Sequence, residues 1–146
     1  MSNKKTMRCV ACGKGTVRPL AKAGRRMRYK TMMVEVPGEL AIPTCDACGE
    51  EWFDETTAEE VDDALGAAYR RLLHRKFTEA LADLTPTISQ RQLEALLGLS
   101  QGDLSHLRSG QYDPSPHLVA DLALLARDPA RRVHDLQEFW EEKKAG

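Results

Sequence analysis

Residues 89–110 read SQRQLEALLGLSQGDLSHLRSG, and their layout decides what the C-terminal half of this chain is. Ser89 with Gln92 three residues on forms a capping box, in which each side chain satisfies the other residue's orphan backbone N–H. A helix is expected to begin there. Leu93, Leu96 and Leu97 give it a buried side, and Gly98 supplies the left-handed residue that stops it. Leu99 plugs the turn. Ser100 is expected to cap a second helix, with Leu104 and Leu107 facing inward and Gly110 ending it. Asp103, three residues after Ser100, is placed to accept from the cap's own amide. Two short helices across a tight turn make a helix-turn-helix, whose second helix enters the major groove of DNA.

The charged residues of this segment are Arg91, Glu94, Asp103 and Arg108, two of each sign. Base reading must therefore fall to uncharged groups on the outward side: Gln101, Ser105 and His106, with Gly102 allowing close approach of the backbone. Gln90, at a helix start that offers free amides, and Arg91 and Arg108 are the candidates for holding phosphates.

Upstream, Thr57 with Glu60 reads as another capping box, so a helix is expected to start near residue 57 and run to Leu84, where Thr85-Pro86 ends it. Val61, Leu65, Ala68, Leu72, Phe77, Ala80, Leu81 and Leu84 recur at three to four residues, a helical stripe. Gly66 leaves open whether this is one helix or two. Downstream, helices are expected from near Pro116 and Pro129, since proline suits a first helical position. They present Leu118, Leu122 and Leu125, then Val133, Leu136 and Trp140. Phe139 and Trp140 are adjacent and cannot both point inward, which suggests a second subunit.

The N-terminal third carries two copies of C-x-x-C-G: CVACGKG (Cys9, Cys12) and CDACGEE (Cys45, Cys48). Each puts two thiolates around a tight turn, and the following Gly13 and Gly49 tolerate the positive φ such turns need. Two matching knuckles point to one structural four-cysteine Zn2+ site with no open position. RMRYKTMMVEV (26–36) and ELAIPTC (39–45) have strand composition, with Pro37-Gly38 as the turn between them. The metal would hold together a segment too poor in apolar mass to fold unaided, with Trp52 and Phe53 in its small core.

The near-zero net charge of −1 over 146 residues hides segregation. Residues 1–36 hold ten Lys/Arg against one acid, and residues 37–63 hold ten Asp/Glu and no base. Residues 85–146 carry seven bases and nine acids. Such blocks are either solvated faces or docking sites for a charged partner. No apolar run is long enough to span a bilayer, and MSNKKTMRCV lacks a signal peptide's apolar stretch, so a cytoplasmic protein with reduced thiols is expected. Neither a Gly-rich phosphate loop nor a Ser or Cys with a partnered His stands out, which argues against an enzyme.

The helix-turn-helix segment resembles the Xre/Cro type. The cysteine ribbon, the connecting helix, this motif and YDPSPHLVADLALLARDPARRVHDLQEFW together resemble MqsA-family antitoxins along nearly the whole chain. That resemblance implies an N-terminal zinc domain that engages a ribonuclease toxin, and a C-terminal domain that dimerises and represses its own operon. The family's base-reading places fall on Gly102 and His106, where members tend to carry Asn and Arg.

The expected fold is therefore mainly α with a small β zinc ribbon. A zinc-ribbon domain (1–56), a connecting segment (57–84) and a DNA-binding, dimerising helix-turn-helix domain (85–146) are expected. The expected function is that of an antitoxin and autoregulating repressor: a homodimer on a palindromic double-stranded operator, with the acidic stretch from Glu50 to Asp63 docking a basic toxin. Two alternatives stay open: a zinc-ribbon regulator without a toxin, and a protein-interaction module, which the excess of acids over residues 85–146 motivates.

Overall fold

The computed structural model describes residues 6–141. The chain divides into two compact units, Met1–Tyr69 and Arg70–Gly146. The division falls inside a single uninterrupted helix, α1 (Glu55–Leu84), so Gly66 does not break it.

The first unit holds five short strands: β1 (Met7–Arg8), β2 (Thr16–Ala21), β3 (Arg26–Tyr29), β4 (Met32–Glu35) and β5 (Ala41–Cys45). One antiparallel sheet has the order β1-β2-β5, and β3 and β4 form a separate hairpin. The stretch 26–36 is thus not one strand. It turns back at Lys30-Thr31, with Tyr29 opposite Met32, and Lys30 takes a left-handed φ of 51°. No Gly, Asn or Asp announces that turn. The Lys30 ammonium instead lies over two aromatic rings, 5.7 Å from the Tyr29 centroid and 5.3 Å from that of Tyr69, a cation–π contact that offsets backbone strain. The turn expected at Pro37-Gly38 is present, with the Leu40 amide donating to the Pro37 carbonyl at 3.1 Å.

Strand β2 was not foreseen, because Pro19 sits within it. Pro19 lies directly opposite Pro43 of β5, and neither proline has an N–H to lose from that pairing. On its other side β5 meets the chain after the second knuckle, where the Trp52 amide donates to the Pro43 carbonyl at 2.8 Å. Arg25 joins the hairpin's entry to this sheet. Buried at 6 % exposure, it donates to the Leu20 carbonyl (2.8 Å), to Thr44 Oγ1 (3.1 Å) and to Glu51 Oε1 (3.3 Å).

Helix α1 begins two residues earlier than the sequence reading places it. The Asp54 carboxylate accepts from the Thr57 amide at 2.7 Å and the Asp54 carbonyl from the Ala58 amide at 2.8 Å, so Asp54 is the cap. Thr57 is buried with its hydroxyl unpartnered among the described residues. The buried stripe also shifts: it runs through Val61, Leu65, Tyr69, Leu73, Phe77, Ala80, Leu81 and Leu84, while Ala68 and Leu72 are only half-buried. Steps of four from Leu65 land on Tyr69, Leu73 and Phe77, as a 3.6-residue period requires.

The second unit continues with α2 (Gln90–Leu96), α3 (Asp103–Arg108), α4 (Pro116–Ala126) and α5 (Pro129–Trp140). The Ser89–Gln92 capping box is formed in both directions. Helix α2 closes with a left-handed Gly98 and the Leu99 amide reaching back to the Glu94 carbonyl at 2.9 Å. Helix α4 starts at Pro116 under a Ser115 cap, and α5 starts at Pro129. Leu93, Leu104, Val119, Leu122 and Val133 are buried. Leu96, Leu97, Leu107, Leu118, Leu125 and Leu136 are half-buried rather than core. No described helix is long and apolar enough to cross a membrane.

Candidate metal centre and nucleic-acid interface

The four cysteines converge although 32 residues separate the two knuckles. Their sulfurs all lie within 4.8 Å of one another, and the Cys9–Cys48 and Cys12–Cys45 pairs are each 3.7 Å apart. Four sulfurs about 2.3 Å from one central ion occupy the corners of a tetrahedron with edges of about 3.8 Å, which the two 3.7 Å pairs match, while the 4.8 Å limit on the rest keeps all four within reach of one ion. Sheet register brings this about: β2 and β5 pair from Val17 opposite Cys45 outward, which sets the second knuckle beside the turn that precedes β2.

Backbone amides complete each knuckle. Gly15 donates to the Cys12 sulfur, and Ala47 and Cys48 donate to the Cys45 sulfur, all at 3.4 Å. The amides of Lys14 and then Gly15 lower the Cys12 thiol to about 6. At Cys48 the Glu50 amide pulls downward, but desolvation and the thiols of Cys45, Cys9 and Cys12 outweigh it and push the group up to about 12. Cys9, Val17 and Cys45 form a small buried cluster against which Trp52 packs, whereas Phe53 is 46 % exposed and lies outside that core. The four-cysteine cluster can hold one metal ion.

The second candidate surface lies on α2 and α3. Arg91, Gln101, Ser105, His106 and Arg108 are exposed, and Gln90 is half-buried. Arg91 and Arg108 make no ion pair among the described residues. Gln90 Oε1 accepts from the Ser105 hydroxyl at 3.2 Å, which ties a residue expected at phosphate to one expected at base edges. The His106 ring meets the exposed Tyr112 ring edge-on, with centroids 6.2 Å apart.

Compared with protein-family models and with curated proteins, the chain matches none.

One expectation at the tip of α3 needs correction. Ser100 is not its cap: the helix starts at Asp103 with Gly102 as the cap residue, at φ 94°. That left-handed conformation is one the structure itself asks of glycine at 102. The bond from the Ser100 amide to the Asp103 carboxylate does form, at 2.8 Å. The Gly102 and Leu104 amides both donate to one oxygen of Glu94, at 2.9 and 3.0 Å, and are not available to phosphate.

Glu94 is the residue that sequence reasoning missed, having counted it only as a charge. It is 5 % exposed, and the signal was its place between Leu93 and Leu97 on the inward side of α2. Tyr112 was missed as well, because the loop after α3 has no pattern of its own.

Proposed function

We propose that this protein is a zinc-stabilised transcriptional repressor and the antitoxin of a toxin–antitoxin pair. The cysteine cluster holds one structural Zn2+, and α2 and α3 form a helix-turn-helix that lays α3 in the major groove. Gln101, Ser105 and His106 read base edges, with the Gly102 backbone beside them, while Gln90, Arg91 and Arg108 contact phosphates. The observation that carries this reading is the pair α2–α3 itself. Two short helices, fixed to each other by Glu94 and by Gln90–Ser105, present an exposed row of neutral hydrogen-bonding side chains.

A homodimer on a palindrome fits the second unit's exposed apolar residues. Leu124, Phe139 and Trp140 are 57 %, 72 % and 60 % exposed at a cavity of about 530 Å³ on α2, α4 and α5. The acidic stretch from Glu50 to Asp63 is the surface assigned to a basic ribonuclease partner, neutralised by charge pairing.

The test is a titration of the metal-loaded protein onto the DNA upstream of its own gene, with and without the product of the adjacent gene. Retarded complexes that outcompete a scrambled duplex, and that change when the neighbour is added, are expected. Equal binding to any duplex would overturn the repressor half; a neighbour that neither co-purifies nor alters the complex would overturn the antitoxin half.

One observation favours a second reading, a zinc-ribbon regulator without a toxin. Part of the acidic stretch has structural work, since Glu51 pairs with Arg25 and Asp54 caps α1.

A further inference from the structure

Four backbone amides at the start of α3, those of Ser100, Gly102, Asp103 and Leu104, are satisfied from within. Ser100 donates to Asp103, Asp103 donates to the Ser100 carbonyl at 3.1 Å, and Gly102 and Leu104 donate to Glu94. A helix start with open amides attracts an anion, and on a DNA-binding helix that anion is a backbone phosphate. Here the place is already taken by a carboxylate of the protein itself, held under the surface by α2. No cation is paired with Glu94 among the described residues, and the nearest arginines in sequence, Arg91 and Arg108, point into solvent. The tip therefore carries two carboxylates, Glu94 and Asp103, both bonded to backbone amides.

We infer that Glu94 is a specificity-determining residue of the DNA-reading surface: an internal anion that fixes α3 and keeps backbone phosphates off its tip. The inference rests on the DNA-reading role proposed above. Its physical content has two parts. A six-residue helix has too few internal bonds to hold its own start, and a carboxylate at its positive end supplies that hold. The same charge repels an incoming phosphate, and this repulsion acts on every duplex whatever its sequence. Contacts from Gln101, Ser105 and His106 act only on the right one. Glu94 thus widens the gap between cognate and non-cognate DNA by lowering the second.

The experiment compares the full-length, metal-loaded protein with Glu94→Gln and Glu94→Ala variants. Each is titrated onto two duplexes of equal length, one from upstream of its own gene and one a scramble of the same composition. Glu94→Gln keeps a carbonyl acceptor and removes the charge. Its affinity for the scrambled duplex should rise about three- to tenfold, and its preference for the cognate duplex should fall by a similar factor. Glu94→Ala also loses the bonds that set α3, so its preference should fall further, by more than about tenfold.

A merely structural role predicts something different: weaker binding to both duplexes by one common factor. Scrambled-duplex affinity that is unchanged or weaker in Glu94→Gln overturns the inference, and that variant decides the matter even if Glu94→Ala fails to fold. Should the wild-type protein bind both duplexes alike, the DNA reading falls and takes the inference with it. A wild type that discriminates and a Gln variant that discriminates equally well sink the inference alone.

Discussion

A Cβ built on Gly15 would collide with the Cys45 sulfur and stand 2.7 Å from the Ala47 Cβ and 2.8 Å from Asp46 Oδ1. The Asp46 carboxylate can rotate away at the cost of its bond from the Thr16 amide, but the Cys45 sulfur and the Ala47 Cβ belong to the second knuckle and cannot yield without opening the cysteine cluster. Gly15→Ala is therefore expected to lower metal stoichiometry, measured by elemental analysis, and to destabilise the first unit by about 1–3 kcal/mol. At Gly13 the same substitution meets nothing within 4 Å, so only its left-handed φ resists, at about 1–2 kcal/mol, and metal should stay bound. Arg25 makes a separate prediction. Its guanidinium serves two elements at once, through the Leu20 carbonyl, Thr44 Oγ1 and Glu51. Arg25→Met should cost roughly 2–4 kcal/mol in denaturant unfolding of the metal-loaded protein. Arg25→Lys should recover little of that, because an ammonium cannot occupy a planar fork's positions together.

Among the elements, α1 offers the clearest discrimination between what its sequence suggests and what its backbone does. With Asp54 as the cap, Asp54→Ala should cost about 1 kcal/mol of thermal or denaturant stability. Thr57→Val should be neutral or slightly stabilising, since the buried hydroxyl it removes has no partner among the described residues. A Thr57 cap would reverse both results. The sequence showed the starts of α2, α4 and α5, because α2 opens on a Ser cap and α4 and α5 each on a proline at the first helical position. It also showed the four cysteines of the cluster, whose knuckles are local. What stayed hidden was set by partners distant in the chain. The turn at Lys30 depends on Tyr69, β2 tolerates Pro19 because Pro43 lies opposite, and α3 starts where Glu94 of another helix can reach it. Leucine spacing gave the inward side of α2 but could not show that an acid within it caps the next helix.

For the whole molecule, the two units should respond separately to metal removal. A chelator is expected to melt the first unit and leave most helical circular dichroism from α2 to α5 in place. Zinc affinity should fall as the solution is acidified. Binding requires four thiolates, and Cys48, pushed up to about 12 without metal, releases a proton on binding throughout the neutral range. Cys12, lowered to about 6, adds competition only below that value, so release followed with a zinc indicator should steepen there. Salt offers a third check at this scale. On the proposed DNA-reading role, the two exposed arginines Arg91 and Arg108 predict a log–log slope of binding against salt of about −2 per protomer. A slope of about −6 or steeper for a dimer would mean that basic residues beyond Arg91 and Arg108 also touch the duplex.

The two tryptophans of the chain fall one in each unit. Trp52 packs beside Cys9 and Cys45, while the indole of Trp140 donates to the Leu96 carbonyl of α2 at 2.8 Å. Nature has thus installed two independent fluorophores, one at the cysteines and one against the end of α2. Emission from a Trp140→Phe chain would follow loading of the ion, and emission from a Trp52→Phe chain would follow whatever docks against α5.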